Sequence, residues 1–334
     1  MAANNFTKIV RLHAVEGDAG ILSLAQELKL VGIPKKCVEC DSLMVVHTDA
    51  TTADGLVWRC NGKIKKDKKA AKKCNAKQSY RHCTFFEGSH LKLWQILGFI
   101  DLWLKSVQLN HIASLVEVST ATVVDWSSFC REVTFDGMVH NAEPLGGPGR
   151  TVEIDESKFG KRKYNRGHRV EGKWVFGGVE RETGICFMIP VDHRGKDILL
   201  AIIKHCILPG TKIISDCWRA YNCLSDEGFI HETVNHSKTF KDPETGAHTN
   251  TIEGSWRHAK EVVGTHNRQS DFLAGKLSKY LFLRRCRMLK LDPFLEFCKM
   301  AGSLYNGNGM LVESERKQAF DNLQDELQAI YDAL

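Results

Sequence analysis

The chain has no long apolar run, no internal repeat and no large excess of either charge. No stretch reaches the ~18 uninterrupted apolar residues of a membrane span, so no transmembrane helix is expected. The opening MAANNFTKIVRLHAV lacks a basic-then-apolar secretory pattern, and a soluble intracellular protein is expected. The net charge is only +6, so the distribution of charge matters more than its total. What is present points to folded domains. Apolar residues make up 43% of the chain, which excludes wholesale disorder. The 334 residues suffice for two or three domains. Twelve cysteines in a reducing compartment are metal ligands where they cluster, rather than disulfides.

Residues 1–35 read as a partly amphipathic helical segment (ILSLAQELKL) ended by Gly32 and Pro34. Residues 36–86 hold the clustered cysteines. Cys37 and Cys40 form a C-x2-C knuckle. Cys60 closes a hairpin, LMVVHTDATTADGLVWRC, and Cys74 follows a lysine-rich insertion. Four thiolates from two turns suit a tetrahedral structural Zn2+ in a zinc-ribbon-like module. The ion would replace a hydrophobic core too small to fold alone. Thirteen residues separate Cys60 from Cys74, where a knuckle has two to four, and His82 and Cys83 are rival fourth ligands. Between Lys63 and Lys77 stand eight lysines, Lys65, Lys66, Lys68 and Lys69 among them, against one acid, Asp67. Such a run is a solvated loop, a phosphate-binding arm or a nuclear import signal.

Residues 89–140 read as helices. A short helix (Asn110–Leu115) and a tight turn lead to Ser119, a good N-cap, and a second helix from Thr120 to about Val133. That is the helix-turn-helix pattern, whose second helix enters the DNA major groove. The alternative is an ordinary helical hairpin with Trp94, Trp103 and Trp126 as core. NAEPLGGPGR (141–150) reads as a linker.

Beyond it the texture changes. TVEIDES, KWVFGGVER and GICFMIPV predict three strands, KDILLAIIKHC a helix, KIISD a buried strand, CWRAYNCLSDEG a helix, FIHETV a strand and TIEGSWRHAKEVV a helix. The order β-β-β-α-β-α-β-α over residues 150–275 predicts an α/β, ribonuclease H-like core, with a helical tail over 276–334. Three acids stand out. Asp155 shares a strand face with Glu153, and Asp216 closes an apolar strand. A carboxylate there is costly unless it binds a cation. Glu253 begins the last helix. These three are the candidate catalytic residues and ligands for divalent metal. Asp216 could instead cap a following helix, and Glu253 could be the N3 residue of a capping box on Asn250. Glu261 is a rival third acid.

The segment KFGKRKYNRGHRVEGKW carries Lys158, Lys161, Arg162, Lys163, Arg166 and Arg169, starting three residues from Asp155. A hairpin this basic beside carboxylates suits a phosphate backbone. Arg257 and Lys260, near Glu253 on its helix, add two cations. His236, Lys238 and His248 precede the third acid and are weaker candidates. At the C-terminus, KLSKYLFLRRCRMLK is a basic helix. Phe320, Leu323, Leu327, Ile330 and Leu334 form a stripe for docking on the same chain or on a second copy.

TVEIDESKFGKRKYNRG, GKWVFGGVER, ISDCWRAY and HTNTIEGSWRHAK resemble, in order and wording, the catalytic core of Merlin-type DDE transposases, which are cut-and-paste enzymes of animals with bacterial insertion-sequence relatives. The resemblance spans roughly residues 37–290. It implies Asp155, Asp216 and Glu253 as the DDE triad, two Mg2+ or Mn2+ ions, and an N-terminal zinc-ribbon-like DNA-binding region. It also implies double-stranded DNA with terminal inverted repeats and target DNA as substrates, a homo-oligomer on paired ends, and the nucleus as location (the cytoplasm for a bacterial source). Two other functions fit the same residues: a host-adopted, transposase-derived DNA-binding protein without catalysis, and a ribonuclease H-like nuclease that cuts without joining.

Overall fold

The computed structural model describes residues 5–64, 72–160, 172–234, 248–264 and 270–305. The described residues divide into two compact units, one of residues 5–137 with 292–305 and the other within 138–291. Among the described residues no helix is long and apolar enough to cross a membrane.

In the first unit, α1 (Asn5–Glu27) is kinked at Gly17, whose φ of 65° is open to glycine without cost. It packs on α2 (Leu93–Leu104). The α2 sequence LWQILGFIDLWL is apolar almost all round, so nearly every side chain is buried. Its one acid, Asp101, is 2% exposed and accepts from the Phe6 amide at 2.9 Å and from Lys105 Nζ at 2.6 Å. The short α3 (Leu109–Leu115) and the longer α4 (Thr120–His140) meet at a turn. There the Val118 amide reaches Ala113 O and Ser119 Oγ accepts from the Thr122 amide at 3.1 Å. The second helix thus runs a further turn or two beyond the expected end near Val133. The helix α8 (Pro293–Leu304) starts on Asp292, whose carboxylate accepts from the Phe294 and Leu295 amides, with Pro293 where its missing N–H costs nothing.

The same unit holds a small sheet in the order β1 (Met44–Thr48), β2 (Leu56–Cys60), β5 (Lys77–Ser79). A side hairpin of β3 (Lys63–Ile64) and β4 (Lys72–Lys73) interrupts it.

The second unit is built on a five-stranded sheet in the order β12-β11-β7-β8-β9. Here β7 (Thr151–Phe159), β8 (Lys173–Glu180) and β9 (Cys186–Val191) form an antiparallel meander, while β11 (Lys212–Asp216) lies parallel to β7 and β12 (Ile230–Val234) parallel to β11. The central strand is buried on both faces. Val152 and Ile154 of β7 and Phe176 of β8 pack with Ile198, Leu199 and Ile202 of α5 (Lys196–Cys206). On the other face, Val175 and Val179 of β8 pack with Ile252, Trp256 and Ala259 of α6 (Asn250–Val263) and with Leu273 and Leu277 of α7 (Ser270–Met288). Two-faced burial explains why these strands read as continuous apolar runs.

Three expectations change. The segment CWRAYNCLSDEG forms only a 3₁₀ turn, Arg219–Tyr221, because Asp216 Oδ1 accepts the Trp218 amide at 3.0 Å and a chain of tight turns follows. The linker 141–150 is partly structured: β6 (Leu145–Gly146) pairs in parallel with β10 (Ile207–Leu208), and Glu180 Oε2 accepts the Gly146 amide at 2.6 Å. The expected boundary at 275–276 falls inside α7, which packs on α6 and β9, whereas α8 belongs to the first unit. The C-terminal stripe from Phe320 to Leu334 lies outside the described residues.

Candidate active site and metal centre

Asp155 sits on β7 and Asp216 at the end of β11. The two strands pair Lys212 with Thr151 and Ile214 with Glu153, so both acids stand two residues beyond the last paired position. Equivalent positions on parallel strands point to the same face, and neighbouring backbones are roughly 4.8 Å apart. Burial raises the pKa of Asp155 to about 6, and the charges of Asp216 and Glu253 push the same way.

Glu253 comes from α6, which lies over that face. The helix is held there by Glu153, the residue that shares Asp155's face. Glu153 is 0% exposed. Its Oε2 accepts from the Thr251 and Ile252 amides at 2.8 and 3.0 Å, and its Oε1 from Thr251 Oγ1 at 2.8 Å and Arg181 Nε at 2.6 Å. A buried carboxylate thus satisfies two orphan amides of a helix start and is neutralised by one arginine. Arg181 also donates to His248 O at 2.6 Å, and His248 Nδ1 lies 3.5 Å from Glu153 Oε1. The capping box on Asn250 does not form: the N-cap is Thr249, and Glu253 Oε1 accepts from Thr249 Oγ1 at 3.2 Å. Glu253 is exposed toward solvent, as is Glu261 eight residues on.

One turn past Glu253, Trp256 Nε1 donates to Asp155 Oδ2 at 3.0 Å. The indole lies on Gly177, the residue paired with Asp155 across the sheet. A Cβ there would stand 2.6 Å from the Trp256 ring, so only glycine admits it. On the opposite face, Glu156 accepts from the Tyr221 hydroxyl. Burial, then the charges of Asp155 and Asp216, push its pKa to about 8, against the pull of Arg194. Arg194 lies 3.7 Å over Trp174 and 5.1 Å from Trp218.

Glu153, Glu156, Trp256 as a partner of Asp155, Gly177 and Arg194 were absent from the candidates drawn from sequence. The alternation of β7 placed Glu153 and Asp155 on one face. It gave no sign that Glu153 meets residues 98 and 99 positions away.

Of the basic candidates, Lys158 is exposed with its Nζ 5.6 Å over Trp174, and Lys260 Nζ lies 5.6 Å over Phe159. Arg257 is exposed on α6. Lys161, Arg162, Lys163, Arg166 and Arg169, with Lys65, Lys66, Lys68 and Lys69, lie outside the described residues, as do His236 and Lys238.

In the first unit, Cys37, Cys40, Cys60 and Cys74 bring their sulfurs within 4.8 Å of one another. Cys37 and Cys74 are 3.6 Å apart, Cys40 and Cys60 3.3 Å. Tetrahedral zinc thiolate needs about 3.8 Å between sulfurs, from Zn–S bonds of ≈ 2.3 Å, so the residues fit the ion. The thirteen-residue interval is no obstacle. It folds out as the β3–β4 hairpin, whose pairing of Lys63 with Lys73 returns the chain to its starting point, and the Cys74 amide reaches Gly62 O at 2.8 Å. A side chain at Gly62 would stand 2.7 Å from Cys40 Sγ. Hydrogen bonds from Ser42 hold the Cys40 thiol down at about 6, while burial pushes Cys60 up to about 12. His82 and Cys83 take no part; they belong to a separate group with Glu87. Among the described residues these are the two sets whose ligand atoms gather within 4.8 Å, and the three acids of the second unit are spaced more widely.

No curated protein matches the chain. A cryo-EM structure of a simian T-cell lymphotropic virus intasome in complex with PP2A regulatory subunit B56 gamma is similar over 53% of this chain at 15% identity, with a TM-score of 0.27, a likeness too slight to carry an argument. The chain spans 65% of the length of that structure's chain. Residues 144–281 match the model of the ISXO2-like transposase domain, so the stretch that carries Asp155, Asp216 and Glu253 is similar to a transposase domain of the DDE class.

Proposed function

We propose that the chain is a DDE transposase with a ribonuclease H-like catalytic core. The supporting observation is the joint placement of Asp155 and Asp216 on one face of neighbouring parallel strands, with α6 fixed over that face by Glu153 and the charge of Glu253 acting on Asp155. The sheet order, with a three-stranded meander first and two parallel strands added beyond β7, supports the ribonuclease H-like reading. The wording of the four segments favours the Merlin type.

Asp155, Asp216 and Glu253 would hold Mg2+ or Mn2+. Their donor set fits, being all hard oxygen, with Asp155 in part desolvated. Bound there, divalent cations supply Lewis acidity at the scissile phosphate and lower the pKa of the attacking oxygen. The chain's own residues align and restrain. Trp256 fixes the Asp155 carboxylate, Asp216 is braced by the Trp218 amide, and Glu153 sets the height of Glu253. In the first step water attacks the phosphorus at the transposon end, the bond to O3′ breaks, and the 3′-hydroxyl leaves with a proton. In the second, that hydroxyl attacks a target phosphodiester and displaces the target's own O3′. No covalent enzyme intermediate arises, so no serine or tyrosine nucleophile is required.

The zinc module, the lysine insertion and the helix-turn-helix are the DNA-binding parts of this reading. The substrate is double-stranded DNA with terminal inverted repeats, held by a homo-oligomer on paired ends, in the nucleus of a eukaryotic source. Incubating the full chain with end-containing DNA and Mg2+ tests it. Nicking at the end, lost in Asp155→Ala, is expected. Unchanged nicking by Asp155→Ala would remove the role of the acids. DNA binding without any nicking by the wild type would establish the host-adopted reading instead.

A further inference from the structure

We propose that His82, Cys83 and Glu87 form a second metal site, distinct from the four-cysteine site, for a zinc-class divalent cation. Their ligand atoms lie within 4.8 Å of one another. The donor mix selects the ion. An imidazole nitrogen, a thiolate and a carboxylate suit borderline cations such as Zn2+ or Co2+, whereas Mg2+ and Ca2+ take oxygen ligands. Three protein donors leave one tetrahedral position for water, unlike the closed four-thiolate site.

The loop that carries them is built before any ion arrives. Arg81, 3% exposed, forks onto Asp54 at 2.6 and 2.7 Å. It also donates to Ser89 O at 3.1 Å and Leu91 O at 2.8 Å, closing the chain on the far side of the trio. Phe86, 0% exposed, anchors the middle. Within that frame Cys83 is held at a φ of 58°, a left-handed conformation costing a non-glycine residue roughly 1–2 kcal/mol. Glu87 already spans the other two: Oε1 lies 2.6 Å from His82 Nδ1, and Oε2 accepts the Cys83 amide at 2.9 Å. A cation entering between them replaces the imidazole–carboxylate contact. Lys35 Nζ, the nearby cation, is taken up by His82 O at 3.3 Å and by the face of Trp58. Binding forms a metal–sulfur bond and releases the thiol proton to solvent.

The full chain, saturated with Zn2+, desalted and assayed for bound zinc, tests this. Cys83→Ser and Glu87→Gln, both at positions with solvent access, are each expected to lower the zinc content by one ion per chain. Co2+ loading should give a thiolate charge-transfer band that Cys83→Ser weakens while the stronger bands of the four-cysteine site persist. A zinc content unchanged in both variants overturns the proposal, as does a cobalt spectrum identical in wild type and Cys83→Ser.

Discussion

Trp256 donates its indole N–H to Asp155 at 3.0 Å while its ring rests against Gly177, the cross-strand partner of that same aspartate. The helix that presents Glu253 thus also aims the first acid. Trp256→Phe deletes the donor and shrinks a buried ring. A hydrogen bond to a charged group is worth about 1.5–3 kcal/mol, so end cleavage should fall roughly 10–100-fold, and the melting temperature should fall as well, because the smaller ring leaves a cavity. Gly177→Ala keeps the donor but crowds the indole at 2.6 Å, so both quantities should fall there too. Single-turnover cleavage and thermal melting, run side by side, measure the two effects.

Glu153 is expected to matter for stability more than any other acid of the sheet. Glu153→Ala strands Arg181 and frees two helix amides. Breaking a buried pair from one side costs about 3–5 kcal/mol. Chemical denaturation should show a loss of that order; a loss under about 1 kcal/mol, the size of an ordinary hydrogen bond, would show that the cap is dispensable.

The pH dependence has a definite sign. Burial raises Glu156 from an ordinary 4.5 to about 8. The folded chain then binds the proton more tightly than the unfolded chain. The stabilisation from the protonated form is complete below 4.5 and is lost as pH rises through about 8. Glu156→Gln, which still accepts from Tyr221, should flatten the fall in melting temperature over that window, with zinc retained and no Mg2+ added. Identical slopes in the two proteins would dismiss Glu156 as the source.

Zinc should be indifferent to the lysine insertion. The β3–β4 pairing already brings the Cys60 and Cys74 sulfurs within 4.8 Å of each other. Replacing residues 65–71 by a two-residue turn should leave zinc binding at the four cysteines intact. DNA affinity should drop, and its salt dependence should become shallower by about one unit of slope for each phosphate that is no longer neutralised. Cys74→Ser should instead release that zinc and unfold the small sheet.

The sheet could be read in the sequence because apolar runs of five to nine residues, separated by glycine turns, signal strands buried on both faces. The acids stand out in the sequence because a carboxylate closing such a run has no cheap structural excuse. The spacing of cysteines misled only in appearance, since a hairpin hides an interval. What stayed hidden depends on partners far along the chain or on competition within a turn. Asp216 captures the Trp218 amide and stops a helix that the composition of CWRAYNCLSDEG favours. Leu145 and Gly146 look like linker but find a strand sixty residues on. Glu153 looks like one more polar residue on an edge until α6 returns to it.

That return has a kinetic meaning. Glu153 meets Thr251 across 98 residues of intervening chain, and closing a loop of that length costs about 4 kcal/mol of entropy. Asp155 and Asp216 can settle side by side as soon as their two strands pair, but the third acid arrives only with a segment made much later. A partly synthesised chain therefore carries only two of the three acids in place, and on the proposed reading the cutting centre is complete only once α6 has docked.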